Sequence, residues 1–256
     1  IQSELATEIA RALKVSLSPH DEKRLARKPT ENLAAYDLFL RHQELVNRSL
    51  GTYRIFGTVK ERIALLSRAV ELDPKFALAW ARLGAEHARA YQYGIDRTSS
   101  RLAQARQAIE RALVLAPDDI EVQIEEGIFH YWGTMDYGRA AQLFEGVLRI
   151  VPNNVDARMQ LAFVRNREHR RTDSAAHVEK VLAIDARNVS ALTSFANRLV
   201  DFRHFDRALA VQQRLINVRP DDVDLQGKYQ RIEHWKSGKW DAYDKWRSTL
   251  LPGVER

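Results

Sequence analysis

Apolar residues recur along this chain at helical spacing, and a short polar break interrupts them roughly every 34 residues. Ahead of each break, apolar side chains stand three positions apart with apolar neighbours one residue away. This spacing predicts a stripe along a helix rather than the alternation of a strand. The five sets are Leu66, Ala69 and Leu72; Ile109, Ala112 and Leu115; Phe144, Val147 and Ile150; Val178, Val181 and Ile184; and the weaker Gln212, Leu215 and Val218.

Proline marks most of the breaks. Pro74, Pro117, Pro152 and Pro220 stand at four of them, and Ala186 takes the corresponding place in the fifth. Proline cannot continue a helix, and the Asp or Asn that follows the break in most copies can cap the next one, so each break ends one helix and starts another. The interval after Pro74 is longer than one repeat, and we place its extra residues in a polar turn at residues 91–100.

The repeated pattern predicts paired helices throughout the chain. Mostly small residues stand twelve positions before each break, as close helix packing requires; they are Arg62, Ala105, Ala140, Ser174 and Ala208. Helices are expected at residues 3–16, 31–49, 58–73, 77–91, 100–116, 119–133, 136–151, 154–168, 173–185, 188–202, 205–218, 222–237 and 240–251.

One copy carries a fuller signature. Trp80, Leu83, Gly84 and His87 share one helical face, and Gly84 would let a neighbouring helix approach closely. With the small residues and closing prolines of the other copies, this pattern resembles the tetratricopeptide repeat over residues 30–252. The resemblance implies a right-handed α-solenoid of about six helix pairs over residues 29–256, used for protein–protein interaction.

The third hairpin departs from the family pattern, because Glu126 stands where a buried Leu is expected. Two interpretations are open. Either Ile124 and Ile128 carry the apolar face after a small shift, or Glu126 places a carboxylate at a groove. The first is favoured, because an ionised glutamate is almost never fully buried without a partner.

Residues 1–28 are expected to form a helix and a charged linker, the tail of a preceding domain in a longer protein. The passages at residues 24–30 and 35–41 resemble the junction between a TolB-like domain and its tetratricopeptide tail in large bacterial signalling proteins. Class III adenylyl cyclases and winged-helix regulators are among these proteins. The resemblance implies a catalytic or DNA-binding module upstream of this array.

Composition narrows the class of protein further. With 45% hydrophobic and 29% charged residues the chain is expected to fold, and 11 Gly and 7 Pro are too few for a sandwich or barrel of many short strands. The absence of cysteine excludes disulfides and thiol chemistry. The sequence contains no run of 18 apolar residues, so it predicts no membrane span. We expect a cytoplasmic location, or a periplasmic one if the parent protein has an upstream transmembrane helix.

A stacked array leaves its first helices along a concave groove, which predicts recognition of a protein or peptide rather than catalysis. Apolar and aromatic anchors ringed by polar groups are typical of peptide-binding hot spots, although Phe163 and Trp132 could equally pack between repeats. The Lys and Asn with which chaperone-binding family members clamp a peptide carboxylate are missing at the positions that match. The predicted groove residues are Arg82, Arg89, Glu125, Ile128, Tyr131, Met159, Gln160, Phe163, Asn166, Arg167 and Asn197.

Two other functions are alternatives. A run of arginines could contact phosphates in a basic nucleic-acid scaffold, although arginines also stabilise helix C-termini and the net charge is only +6. The second alternative is a regulatory dimerisation domain of an upstream adenylyl cyclase. Trp240 and Trp246, with Trp235, predict either a self-association face or a terminal cap, and the cap is favoured. The arginines are Arg165, Arg167, Arg170 and Arg171, followed by Arg198, Arg203 and Arg207.

We expect that this region is not an enzyme and that it binds no cofactor or metal. Glycine-rich phosphate loops and the HExxH motif are missing, and the repeated places of His87 and His130 favour a structural role. His169, Asp173 and Ser174 have the residue types of a catalytic triad, but they crowd one short turn without a nucleophile elbow.

Overall fold

The structure is a computed structural model that describes residues 29–49 and 54–250. Within these ranges the regular elements are all helical and no strand is present, which confirms the expected all-α fold. The helices are α1 Leu33–Ser49, α2 Arg54–Leu72, α3 Ala77–Gln92, α4 Ser99–Leu115, α5 Ile120–Phe129, α6 Tyr137–Ile150, α7 Val155–Arg167, α8 Arg171–Ile184, α9 Val189–Asp201, α10 Phe205–Val218, α11 Val223–Ser237 and α12 Asp241–Leu250, and a π-helical turn, His130–Thr134, extends α5.

Each of these helices corresponds to one predicted from the sequence, and the helix expected at residues 3–16 lies outside the described residues. The largest difference is in α2, which begins at Arg54 rather than near residue 58. Consecutive helices form hairpins: α1 with α2, α3 with α4, and so on to α11 with α12. Neighbouring hairpins also contact each other along the chain, so the described part is an all-α solenoid.

Side chains of Asp and Asn cap the helices that follow the breaks, as predicted. Asp119, Asn154, Asn188 and Asp222 each accept a hydrogen bond from a backbone N–H in the first turn of α5, α7, α9 and α11. Asn154 Oδ1, for example, lies 2.8 Å from the amide nitrogen of Ala157. These four caps satisfy donors that have no partner within the helix, whereas α3, after Pro74, follows Phe76 and has no side-chain cap.

The apolar stripes predicted ahead of the breaks are buried at their first two positions but not at the third. Phe144 and Val147 are fully buried, whereas Ile150 is 60% exposed, and Ile184 is similarly exposed in the next hairpin. Steps of three residues rotate the side chain by about 300° each, so the third position has drifted about 120° from the first and leaves the core.

The small residues predicted twelve positions before the breaks are buried, with one difference in kind. Ala105, Ala140, Ser174 and Ala208 allow their helices to pack closely. Arg62 occupies the same place in α2 and is also buried, at 1% exposure. Its guanidinium is held by a carboxylate from the next hairpin, described below.

Glycines in the first helices permit direct contact with the paired helix. A Cβ carbon built on Gly84 would lie 2.6 Å from Ile109 Cγ1, and one on Gly127 would lie 2.5 Å from the Phe144 ring. Both distances are shorter than real non-bonded contacts of Cβ atoms, so a larger residue fits at either position only if the neighbouring atoms shift. The predicted close approach at Gly84 is therefore confirmed.

Glu126 is buried at the position that Leu83 has in the preceding hairpin, and the small shift predicted for this helix is wrong, because Gly127 lies against Phe144 as Gly84 lies against Ile109. Ile124 and Ile128 both lie in the hydrophobic core beside Phe144. Glu126 is tolerated near the surface of that core because Arg139 Nη2 lies 3.2 Å from its Oε1. The charge is paired, as burial of an ionised group requires.

The extra residues between the first two breaks form the turn between α3 and α4, as predicted. Gly94 adopts φ +75°, a left-handed conformation that suits glycine. Thr98 then caps α4 by accepting from the Arg101 amide, while Asp96 accepts hydrogen bonds from Thr98 and Arg101. The insertion is thus an ordered turn.

The last hairpin is closed by a tryptophan. A Cβ carbon on Gly227 of α11 would lie 2.4 Å from Trp246 Cη2, so the indole of α12 lies directly on the α11 backbone. This contact packs the two helices of that hairpin against each other. Trp235 and Trp240 are each 46% exposed and lie at the outer side of the same hairpin.

The described array also curves back on itself. Arg219, which follows α10, donates a hydrogen bond to the carbonyl oxygen of Asn47 in α1. Residues of the first and fifth hairpins therefore meet across the solenoid. Among the described helices, none is long and apolar enough to cross a membrane.

Candidate functional site

The first helices of the fourth and fifth hairpins, α7 and α9, enclose an open cavity of about 790 Å³, here called the α7–α9 groove. Tyr137 at the start of α6 and the turn after α7 complete its walls. The residues that line it are Tyr137, Phe163, Asn166, Arg167, His169, Arg171, Ser190, Thr193, Ser194, Asn197, Arg198, Asp201 and Phe202.

Helical spacing explains which side chains reach the groove. Phe163, Asn166 and Arg167 stand three and four positions apart on α7, so they share one face. Thr193 and Asn197 have the same relation on α9. Side chains next to these on the same helices are apolar and buried, among them Ala162, Val164, Leu192 and Ala196.

Arg167 joins the groove to the neighbouring hairpin. Its Nε donates to the Tyr131 hydroxyl at 3.0 Å, and its guanidinium carbon lies 5.8 Å from the centroid of the same ring. This hydrogen bond raises the pKa of Arg167, and burial raises that of Tyr131. Because Tyr131 is neutral, the positive charge of Arg167 is oriented but not cancelled.

Arg198 has a structural role at the edge of the groove. It donates to the Arg171 carbonyl oxygen and to Ser174 Oγ, both at 2.8 Å. Ser174 Oγ in turn donates to the Ala162 carbonyl oxygen at 2.6 Å and is buried. These bonds tie α9 to α7 and α8, and they leave the Ser174 hydroxyl as a packing contact rather than a nucleophile.

Lys228 of α11 continues the polar side of the groove, since its Nζ donates to Asn197 Oδ1. Burial is the main cause that lowers the pKa of Lys228 to about 8, and nearby Arg231 lowers it further against the opposing effect of Asp201. At neutral pH the ammonium is therefore charged in partly desolvated surroundings, where an additional hydrogen-bond acceptor would be favourable.

The structure brings together Phe163, Asn166, Arg167 and Asn197 of the predicted groove residues. Ile128 and Met159 do not join them, because both are buried in hydrophobic clusters. Tyr131 is buried too and reaches the groove only through its hydrogen bond to Arg167. Gln160 is partly buried on α7 and is outside the groove lining.

The remaining predicted residues, Arg82, Arg89 and Glu125, lie earlier in the array and are already paired. Arg82 Nε lies 3.3 Å from Glu125 Oε1, and Arg89 Nη1 lies 2.8 Å from Glu86 Oε1. The Arg82–Glu125 pair links α3 to α5, whereas Arg89 and Glu86 both belong to α3. Both pairs stabilise the array rather than leave an open site.

A buried cluster of charged side chains, which the sequence did not predict, surrounds Glu86. His42 Nε2 lies 3.4 Å and Arg62 Nη2 3.2 Å from its carboxylate, and all three side chains are almost fully buried. Burial raises the pKa of Glu86, but Arg89, the His42 hydrogen bond and Arg62 outweigh it and lower the value to about 2. Burial also lowers the pKa of His42. The cluster joins α1, α2 and α3 at one point.

Carboxylates pair with half of the arginine run at the end of α7 and in the residues that follow it. Arg165 pairs with Glu145 and, at 2.7 Å, with Glu168. Arg170 donates to Asp173 Oδ2 at 2.7 Å. Two of the four arginines in this run, Arg165 and Arg170, are therefore already paired and are less available to contact phosphates.

The histidines take the structural places expected of them. His87 is buried with Nδ1 2.8 Å from Arg101 Nη1; burial first and Arg101 second lower the pKa of His87 to about 4, so the ring is neutral and accepts. His130 Nδ1 lies 3.2 Å from Thr134 Oγ1 within the π-helical turn. Over the described ranges, no group of three or more His, Cys, Asp or Glu residues is arranged to hold a metal ion.

Several residues that line the groove were not predicted, although the repeat register contains the signal for them. Thr193, Ser194 and Asp201 stand at the offsets that selected Met159, Gln160 and Arg167 in the preceding repeat, counted from Ala186. The same register, applied to the fifth hairpin, selects these three residues. His169 and Phe202 lie in turns outside that register, so the repeat carried no signal for them.

The fold defines the class of the protein as a solenoid of stacked helical hairpins. No family model matches the chain, and no curated protein matches it in sequence. Solved structures do match. A thermophilic tetratricopeptide-repeat protein from Thermus thermophilus superposes with a TM-score of 0.61 at 15% identity, covering 78% of this chain and 99% of the other.

Two further structures share the fold. The type IV pilus biogenesis factor PilW gives a TM-score of 0.54 at 17% identity, with 88% of this chain and 96% of PilW covered. A tetratricopeptide-repeat protein from Parabacteroides merdae ATCC 43184 gives 0.50 at 14% identity, with 87% and 81% covered. At these identities the likeness shows the fold, which is the one that the sequence resemblance implied.

Proposed function

We propose that this chain is a non-catalytic scaffold whose α7–α9 groove binds a segment of a partner protein. The observation that carries the proposal is that four residues selected by repeat register, Phe163, Asn166, Arg167 and Asn197, line one open cavity of about 790 Å³. Cavities of about 300–1,000 Å³ with a few convergent polar groups are the usual form of a binding site.

The lining indicates the chemistry of the segment. Phe163, Tyr137 and the half-exposed Phe202 offer aromatic surface for an apolar anchor side chain. Arg167 and Arg171 offer positive charge, and Asn197 offers amide hydrogen bonds. A segment with an apolar residue next to an acidic one fits this arrangement, because an aromatic pocket beside guanidinium groups that have no carboxylate partner among the described residues favours both contacts.

Binding by a random-peptide library displayed on phage tests the groove. Asn166→Ala with Asn197→Ala should weaken the selected peptides about tenfold or more, since each lost hydrogen bond contributes about 1 kcal/mol. Both side chains are exposed, so the variant should fold normally. Gln104→Ala with Gln107→Ala removes two exposed amides from α4 and should leave affinity unchanged; equal weakening by both pairs would refute the groove.

The salt dependence of binding separates this proposal from the nucleic-acid alternative. Phosphate contacts release counterions, so affinity for a polynucleotide should fall steeply and linearly in log salt concentration. A groove built on Phe163 and two asparagines should respond weakly to salt and strongly to Phe163→Ala. Tight, salt-sensitive binding of single-stranded RNA or duplex DNA would favour the alternative.

We also propose a signalling context, which rests on the resemblance at residues 24–30 and 35–41 to junctions that follow TolB-like domains. In that context the array serves an upstream catalytic or DNA-binding module in the cytoplasm. Regulatory dimerisation of an upstream adenylyl cyclase is the alternative use. The complete reading frame tests the context, because an upstream cyclase, kinase or winged helix is expected, and sedimentation of this array tests dimerisation.

A further inference from the structure

A second cavity, of about 540 Å³, lies between α6 and α8, the second helices of two neighbouring hairpins. It shares no lining residue with the α7–α9 groove. Helix α7 separates the two: Leu161 and Arg165 face the second cavity, whereas Phe163 and Arg167 stand two positions further on, about 200° around the helix. The α6–α8 cavity is therefore a separate site on the other side of α7.

The carboxylates in this cavity are already bound to arginines. Glu145 contacts Arg165, whose guanidinium also lies 2.7 Å from Glu168. Asp173 accepts from Arg170 Nε at 2.7 Å. All three carboxylates thus pair with Arg165 or Arg170, and none of them is paired with another basic side chain of the cavity.

Three other basic side chains line the cavity, and none has a carboxylate partner among the described residues. Arg149 of α6 and Lys180 of α8 are exposed. His177 of α8 lies between them in sequence order and is partly buried. Its Nδ1 is shielded from solvent and has no hydrogen-bond partner.

The charges that surround His177 come from three helices. Burial is the main cause that lowers the pKa of His177, and Arg158 and Arg165 of α7 and Lys180 of α8 lower it further. Asp173 opposes them and raises it. Glu145 and Arg149 line the same cavity from α6. Basic side chains outnumber the carboxylates around this cavity, so an anion placed in it would be attracted and would favour protonation of the ring.

We propose that the α6–α8 cavity binds a small organic phosphate, with Arg149 and Lys180 contacting the phosphate oxygens and the His177 ring adding positive charge beside them when it is protonated. Leu148, Leu161 and Ala176 line the same cavity and provide the apolar contact for the organic part. A ligand in this position bridges the third and fourth hairpins. The site is independent of the partner segment proposed for the α7–α9 groove.

Inorganic phosphate and phenyl phosphate are suitable probes, with chloride at equal ionic strength as the reference. The signal of the His177 ring, assigned with His177→Gln, is followed by NMR during titration. Phosphate should raise the pKa of His177 in a saturable manner, and phenyl phosphate should bind more tightly through the apolar wall. A change no larger than that produced by chloride would overturn the site, and equal affinity for the two probes would overturn the apolar contact.

A double variant tests the basic residues. Arg149→Gln with Lys180→Gln should weaken phosphate at least tenfold, because each removes one charge-assisted contact. Lys75→Gln with Arg207→Gln removes two exposed charges elsewhere and should bind phosphate like the native chain. Equal weakening in both would show general charge attraction and refute the site. Phage-selected peptides for the groove should bind the Arg149/Lys180 variant normally, so the two proposals fail separately.

Discussion

Gly84 and Ile109 are in such close contact that a Cβ carbon on Gly84 would lie 2.6 Å from Ile109 Cγ1. The same hypothetical carbon would lie 2.9 Å from the Ala105 carbonyl oxygen, which belongs to the backbone and cannot rotate away. The distance between α3 and α4 is therefore set by the absence of a side chain at one position.

Gly84→Leu should destabilise the protein by about 3 kcal/mol or more, because overpacking a tight contact costs about 1–3 kcal/mol even for smaller changes. Chemical denaturation measures the change. Gly57→Ala is the matched control: Gly57 also lies in a helix, α2, but has nothing within 4 Å of its missing Cβ. That substitution should stabilise the chain by about 0.5–1 kcal/mol. An unchanged Gly84→Leu transition would refute the repeat register.

Glu86→Gln should lower the free energy of unfolding at neutral pH by about 3–5 kcal/mol, since it leaves the buried Arg62 without its carboxylate. Urea denaturation measures this loss. Glu71→Gln breaks an exposed pair with Arg68 and should change stability by less than about 1 kcal/mol. Similar values for the two variants would contradict the importance of the buried cluster.

The pH dependence of stability should report the same cluster. The pKa of Glu86 is lowered to about 2, so the unfolded chain binds its proton more tightly than the folded one does. The stabilisation is therefore complete above the ordinary glutamate pKa and is lost as the pH falls towards 2. Native protein should lose stability more steeply than Glu86→Gln below about pH 4. Parallel curves would show that the carboxylate is not responsible.

Lys228 should affect stability in the alkaline range. Its pKa is lowered to about 8, so between that value and the ordinary lysine pKa the unfolded state binds more protons. Stability from this group therefore rises as the pH increases through that window. Lys228→Met should remove the rise, whereas Lys239→Met, at an exposed site, should retain it. Denaturation at several pH values tests the difference.

Trp246→Ala should loosen the end of the array without unfolding its centre. The substitution removes the indole that covers Gly227, and stability in repeat proteins is approximately a sum over neighbouring repeats. Hydrogen exchange in α11 and α12 should accelerate, while α3 to α5 keep their protection. Trp240→Ala, at a half-exposed position, should have a smaller effect. Uniform acceleration along the chain would contradict terminal capping.

Helix positions could be predicted because their causes are local. Proline or its substitute follows the second helix of a hairpin, and a residue such as Asn154 or Asp222 caps the next helix within a few positions. The groove could be predicted only in part. Repeat register gave Phe163 and Asn197 correctly as neighbours in space, but a small rotation about the helix axis decides whether a residue such as Ile128 faces the groove or the core.

The sequence by itself determined the hairpin repeat, the junctions between helices and the glycine contact at Gly84, because each follows from short-range periodicity and backbone sterics. Only the tertiary structure revealed the Glu86 cluster and the α6–α8 cavity. His42, Arg62 and Glu86 belong to three helices, and Arg149 and His177 to two. Whether such distant charges meet, pair or remain uncompensated depends on how hairpins stack, and that stacking is set by the packing of all their side chains together.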